Sequence, residues 1–118
     1  MTEYKKTHTF NDRYKESTRV REKYPDRIPI IVERAKNSRL PEIDKSKYLT
    51  PGDISMGQFT HVVRKRLNIS QEKAIFLFTG NILAPTGALM SQIYDEYKDD
   101  DHFLYFTYTG ENVFGNSE

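Results

Sequence analysis

The clearest hydrophobic pattern in the chain runs from Ser55 to Leu67. Met56, Phe59, Val63 and Leu67 fall on one face at helical spacing, and Arg64, Lys65 and Arg66 fall mostly on the other. Ser55-Met-Gly-Gln58 ahead of them has the spacing of a capping box, so a helix is predicted to start there. Leu89, Ile93 and Tyr97 recur every fourth residue and predict a shorter helix that exits into Lys98-Asp-Asp-Asp101, read as a solvated acidic end. Three runs have the continuous β-branched or aromatic character of buried strands: Ile28-Pro-Ile-Ile-Val32, Ala74-Ile-Phe-Leu-Phe78 and Phe103-Leu-Tyr-Phe-Thr-Tyr108. Tyr48-Leu-Thr50, closed by Pro51-Gly52, adds a fourth and pairs with the first as a hairpin with a long connection. Pro29 must sit at the start of its strand or lack a ladder partner there.

Before the first strand the chain is rich in charge and poor in aliphatics. Phe10 with Tyr14, and Val20 with Tyr24, are i,i+4 pairs that predict a thin apolar stripe on a helix packed against the body and ended by Pro25. A charged helix solvated all round is the alternative. After Thr109 periodicity stops, and Gly110 to Glu118 reads as a tail. The pattern thus divides into an N-terminal extension (1–26), a body (27–109) and a tail (110–118). The body's order of strand, strand, helix, strand, helix, strand is that of an α+β roll with a helix packed on a four-stranded sheet.

Composition narrows the chemistry. With 118 residues the chain fits a single domain, and 18 basic against 17 acidic residues leave no global field to draw nucleic acid. Val63-Arg-Lys-Arg66, with Tyr48 or Phe103 as a stacking surface, invites a nucleic-acid reading, but one exposed helix face in a near-neutral chain is the stronger explanation. Cysteine is absent, so any thioester chemistry belongs to another protein. His8, His61 and His102 lie in different elements at no metal spacing, and Asp99-Asp-Asp101 lacks the glycine and spaced ligands of a calcium loop. Asp95 and Glu96 are adjacent on a helix and point apart, which makes a poor acid/base pair. Nothing in the sequence supports catalysis or a bound cofactor. The polar start argues against a secretory signal and for a cytoplasmic site, and apolar runs of about five residues fall far short of the roughly 20 needed to span a bilayer. Lys47 and Leu49 flank Tyr48 on a strand with the character of a sheet edge. Such an edge can receive an extended peptide by strand addition, although ordinary core packing explains the pattern too.

Arg27-Ile-Pro-Ile-Ile, Leu40-Pro-Glu-Ile-Asp-Lys-Ser-Lys-Tyr-Leu-Thr-Pro51, Gly57-Gln-Phe, Glu72-Lys-Ala-Ile-Phe and Gly110-Glu-Asn-Val-Phe-Gly115 together resemble one family from Phe10 to Gly115. It is that of the autophagy ubiquitin-like modifiers, which includes GABA-receptor-associated protein and its fungal counterparts. The resemblance implies a ubiquitin-like β-grasp roll with two additional N-terminal helices. It implies that a cysteine protease cuts between Gly115 and Asn116 with Phe114 as its recognition handle. Activating and conjugating enzymes then pass Gly115 to phosphatidylethanolamine, and the product acts on autophagosome and vacuolar or lysosomal membranes.

Two peptide pockets carry over by the same resemblance, for receptors bearing an aromatic-x-x-aliphatic motif. Glu16, Val20, Pro29, Ile31, Lys47, Leu49 and Phe103 would take the aromatic side chain. Tyr48, Pro51, Ile54, Phe59, Val62 and Arg66 would take the aliphatic one. Tyr48 and Leu49 are both expected to be partly exposed. Thr50 stands where the family commonly has valine, Val20 where it has isoleucine or leucine, and His61 where it has tyrosine, which bears on partner preference. A lipid-independent adaptor using the same groove in trafficking or cytoskeletal association is the rival reading.

Overall fold

A computed structural model of the chain describes residues 2–111. Two helices, α1 (Glu3–Thr7) and α2 (Phe10–Lys23), precede strands β1 (Arg27–Arg34) and β2 (Lys47–Pro51). There follow α3 (Met56–Leu67), β3 (Phe76–Thr79), β4 (Ile82–Leu83), α4 (Met90–Tyr97) and β5 (Leu104–Thr109). The sheet has five strands in the order β2-β1-β5-β3-β4. β1 and β5 run parallel and the other pairs antiparallel. The two-residue β4 is the strand that the sequence pattern does not predict, because it is too short to show an alternation.

Both faces of the sheet are covered, which explains why the middle of β1 is an unbroken apolar run. Ile28, Ile30 and Val32 face a main core with Met56, Phe59, Val63 and Leu67 of α3 and Met90, Ile93 and Tyr94 of α4. Ile31, on the alternate face, packs instead with Tyr4 of α1 and with Phe103. Pro29 pairs in register with Leu49 and precedes Ile30, the first β1 residue that pairs with β5, so its missing N–H falls where that ladder has not begun.

α3 forms as its spacing predicts, with Ser55 and Gln58 closing the capping box and Asn68 ending the helix in the left-handed conformation at φ 57°. The other amphipathic readings require correction. In α4 the buried face is Met90, Ile93 and Tyr94, while Leu89 is the exposed N-cap residue and Tyr97 is half-buried. Ala74 is exposed and β3 begins only at Phe76. In α2, Phe10 and Tyr14 are 50% and 39% exposed, and Tyr24 is exposed as well. The face that α2 buries is polar, with Arg13 and Ser17 as its buried residues.

Those two residues meet the acidic run that the sequence suggests is solvated. Asp101 is fully buried. Its carboxylate accepts from Arg13 Nη1 at 2.5 Å, from the Tyr105 hydroxyl at 2.5 Å and from the Phe103 N–H at 2.9 Å. Its carbonyl accepts from the Ser17 hydroxyl at 2.5 Å. A buried charge must be paired and hydrogen-bonded to be tolerated, and this cluster meets both conditions while pinning α2 to the start of β5.

Candidate functional site

β2 lies at one edge of the sheet. The Val32 N–H donates to the Ser46 carbonyl at 2.7 Å, and Ile30 pairs with Tyr48 and Ile28 with Thr50. By the alternation of an antiparallel ladder, the backbone groups of Ser46, Tyr48 and Thr50 therefore point toward β1, and those of Lys47 and Leu49 point outward. Among the described residues β1 is the only strand paired with β2. An incoming extended segment thus finds donors and acceptors available at Lys47 and Leu49.

The side chains of β2 alternate between the two sheet faces, and so divide the residues implicated by the sequence into two groups. Lys47 and Leu49 lie on the face of α1 and α2, together with Pro29 and Ile31 of β1. Glu16 and Val20 belong to α2, about one and two turns beyond the Arg13 anchor. Lys47 Nζ donates to Glu16 Oε2 at 2.7 Å and so links the edge strand to α2. Burial works to raise the Glu16 carboxyl, but hydrogen bonds from Lys47 and Tyr4 and the nearby charges of Lys47 and Arg19 hold it below its usual range. Ile31 and Phe103, at 0% and 1% exposure, form a floor closed from above by Tyr4.

The second group lies on the α3 face. Tyr48 and Phe59 are buried and meet edge-on with ring centroids 5.7 Å apart, so they underlie this region and do not project from it. The expectation that Tyr48 is partly exposed is therefore wrong: as the inward-facing residue of β2 it belongs to the main core. Burial pushes its hydroxyl pKa upward, and that oxygen has no hydrogen-bond partner among the described residues. Val62 is exposed and Ile54 is half-buried against the core, which gives this group its apolar edge. Pro51 departs from the expected set: it is exposed and lines a depression with Arg21, Pro25 and Ile28 near the end of α2, on the other side of the strand's alternation. Arg66 extends from α3 to Asp44, with Nε to Oδ1 at 2.9 Å, and stays accessible.

Gly115, Phe114 and Asn116 lie outside the described residues. Sequence reasoning missed Tyr4, Arg13, Ser17 and Asp101, which wall or position the first group. The polar i,i+4 pair Arg13 and Ser17 was the available signal, hidden by the more conspicuous aromatic pairs.

The family model described as "Autophagy protein Atg8 ubiquitin like" matches residues 12–115 of the chain. The chain belongs to the Atg8 family. Its relatives include Autophagy-related protein 8c of Arabidopsis thaliana, 62% identical over 112 residues that cover 95% of this chain and 94% of the relative. Autophagy-related protein 8d of the same plant is 57% identical over 115 residues, covering 98% and 96%. Among solved structures, Trypanosoma brucei ATG8 superposes with a TM-score of 0.89 at 45% identity, covering 98% of this chain and 99% of that one. Plasmodium falciparum Atg8, in complex with a Plasmodium falciparum Atg3 peptide, gives a TM-score of 0.89 at 36% identity, covering 97% and 100%. This Atg8-family chain is an autophagy ubiquitin-like modifier, with the ubiquitin-like α+β fold and N-terminal helices that the resemblance implies.

Proposed function

We propose that this chain is cut between Gly115 and Asn116, joined through Gly115 to phosphatidylethanolamine, and used on autophagosome and vacuolar or lysosomal membranes to collect proteins bearing aromatic-x-x-aliphatic motifs. The observation that carries the docking part is β2, an edge strand with outward-facing backbone at Lys47 and Leu49 and an apolar region on either face. A bound segment extends the sheet by one strand, places its aromatic side chain over Ile31, Leu49 and Phe103, and places its aliphatic one over Tyr48, Ile54 and Val62. Lys47 and Arg66 favour acidic residues beside the motif. Burial of two apolar anchors contributes roughly 3–6 kcal/mol before ordering costs, so micromolar affinity is the expectation.

The conjugation part rests on family membership and on chemistry. The chain has no cysteine, so the thioester is carried by activating and conjugating enzymes, and a separate cysteine protease exposes the glycine. The lipid's amine attacks the thioester carbonyl, an amide forms at Gly115, and the enzyme's thiolate leaves. Glycine has no Cβ and fits a narrow catalytic channel next to the apolar Phe114. No helix among the described residues is long and apolar enough to cross a membrane. A two-chain lipid supplies stable anchoring where one acyl chain would bind only marginally. The conjugating-enzyme partner is supported by the peptide complex of the Plasmodium relative.

Intact-mass spectrometry of the membrane fraction from starved source cells tests this reading. Wild type should yield a species ending at Gly115 and carrying phosphatidylethanolamine, and Gly115→Ala should yield none. Full-length unmodified chain in both would favour the lipid-independent adaptor, which shares the groove but not the lipid.

A further inference from the structure

The first pocket holds an aromatic ring already, and the ring belongs to the chain itself. Tyr4 of α1 packs against Ile31 and Phe103 and is itself 7% exposed. Its ring meets Phe103 edge-on, with centroids 5.4 Å apart. Its hydroxyl donates to Glu16 Oε1 at 2.9 Å, and the Lys47 ammonium lies 5.3 Å from its ring centroid. Tyr4 therefore touches residues contributed by α2, β1, β2 and the approach to β5, all of them assigned above to the aromatic pocket.

The element that presents Tyr4 is weakly held. α1 has five residues, too few to persist as a helix without tertiary support. The Glu33 carboxylate accepts from the N–H groups of Glu3 and Tyr4 at 3.0 and 2.9 Å, and Lys5 Nζ meets Asp99 Oδ1 at 2.7 Å. Solvent reaches these ties, which limits the strength of each. Breaking them frees Tyr4 without disturbing the main core, because Tyr4 is absent from that cluster.

We propose that Tyr4 is a built-in occupant of the aromatic pocket and that α1 releases it when a partner's aromatic side chain enters. The inference rests on the peptide-groove reading above. The exchange is chemically like for like: the incoming ring inherits the edge-on contact with Phe103 and the Lys47 ammonium, while an acidic residue beside the motif competes with Glu16 for that same lysine. Apparent affinity is then the intrinsic affinity reduced by the fraction of molecules in which Tyr4 has left, so the docking of α1 sets a threshold that a partner must exceed.

The test uses the full chain and a synthetic peptide with a Trp-x-x-Leu core and an acidic flank, titrated calorimetrically. Tyr4→Ala should bind it about five- to tenfold tighter than wild type, because the competing ring is gone. The double variant Lys5→Ala/Glu33→Gln keeps the ring but loosens α1, and should bind about two- to fivefold tighter. In wild type, saturating peptide should speed hydrogen exchange at the Tyr4 and Lys6 amides by about tenfold while α3 amides keep their protection. Wild-type binding with equal or weaker binding by both variants, or unchanged protection of α1 in the complex, would make Tyr4 a fixed wall of the pocket and overturn the proposal. Absence of binding by wild type and both variants would reject the groove reading and this inference with it.

Discussion

Replacing Asp101 with alanine is expected to be among the most damaging single changes in the molecule, although the residue sits in a run of three aspartates. The substitution removes a fully buried carboxylate and the acceptor for Arg13, for the Tyr105 hydroxyl and for the Phe103 N–H. The Arg13 side chain, 10% exposed, is left as a buried cation without its counter-charge. Breaking a buried pair in this way costs about 3–5 kcal/mol. For a chain of this size each kcal/mol lowers Tm by about 3–5 °C, so a fall of about 10–25 °C is expected by calorimetry or circular dichroism. The double variant Asp101→Ala/Arg13→Met should be more stable than Asp101→Ala alone, because no unpaired charge remains. Glu16 and Val20 ride on the helix that Arg13 anchors, so peptide affinity should fall with the single variant even at temperatures where it is folded. A loss below about 1 kcal/mol, within the range of ordinary surface substitutions, would refute the reasoning and return Asp101 to the solvated run that the sequence suggests.

Other expectations separate core from groove. Tyr48→Ala should cost about 3–5 kcal/mol in denaturant unfolding, because the ring is buried against Phe59, whereas Leu49→Ala, half-buried on the outer face, should cost about 1 kcal/mol or less. Leu49→Ala should nevertheless weaken a Trp-x-x-Leu peptide about tenfold in calorimetry, and unchanged affinity would remove Leu49 from the pocket. Glu16 and Asp99 both have carboxyls held below their ordinary values of 4.5 and 3.8. A carboxyl with a lowered folded-state pKa contributes stability that is complete above the unfolded value and lost as pH falls through the folded one. Acidification should therefore loosen the Lys47–Glu16 tie only below about pH 4.5 and the Lys5–Asp99 tie only below about pH 3.8, and carboxyl-detected NMR titration of Glu16 with a midpoint above 4.5 would contradict this.

Legibility in the sequence followed from whether an element's burial is apolar and one-sided. α3 meets the core with one apolar stripe and a capping box, and its bounds could be read directly. α2 meets the sheet through Arg13 and Ser17, so apolar periodicity pointed to Phe10 and Tyr14, which face solvent. The unbroken run of β1 announced a strand, and its hairpin with β2 was legible, but its parallel pairing with β5 was not, because two covered faces erase alternation. Asp101 was misread because nothing local distinguishes it from Asp99 and Asp100; its partner Arg13 is 88 residues away. At the site, the alternation of Lys47, Tyr48 and Leu49 suggested an edge strand, whereas the meeting of Glu16, Ile31, Lys47 and Phe103 depends on tertiary structure. Only the resemblance supplied that set, and it could not show that Tyr48 is core or that Tyr4 closes the floor.

The parallel pairing of β1 with β5 also imposes a timetable on synthesis. Ile30 aligns with Leu104, so β1 lacks one neighbour until β5, the central strand of the sheet, has been translated. At about 5–20 residues per second, the stretch between the end of β1 and the start of β5 takes roughly 4–14 s to make. During that interval β2 emerges and can pair with one side of β1, but the side of Ile30 to Arg34 that meets β5 has no partner. The sheet can close only once Leu104 to Thr109 have left the ribosome, and any protease that requires the folded body meets its substrate only then.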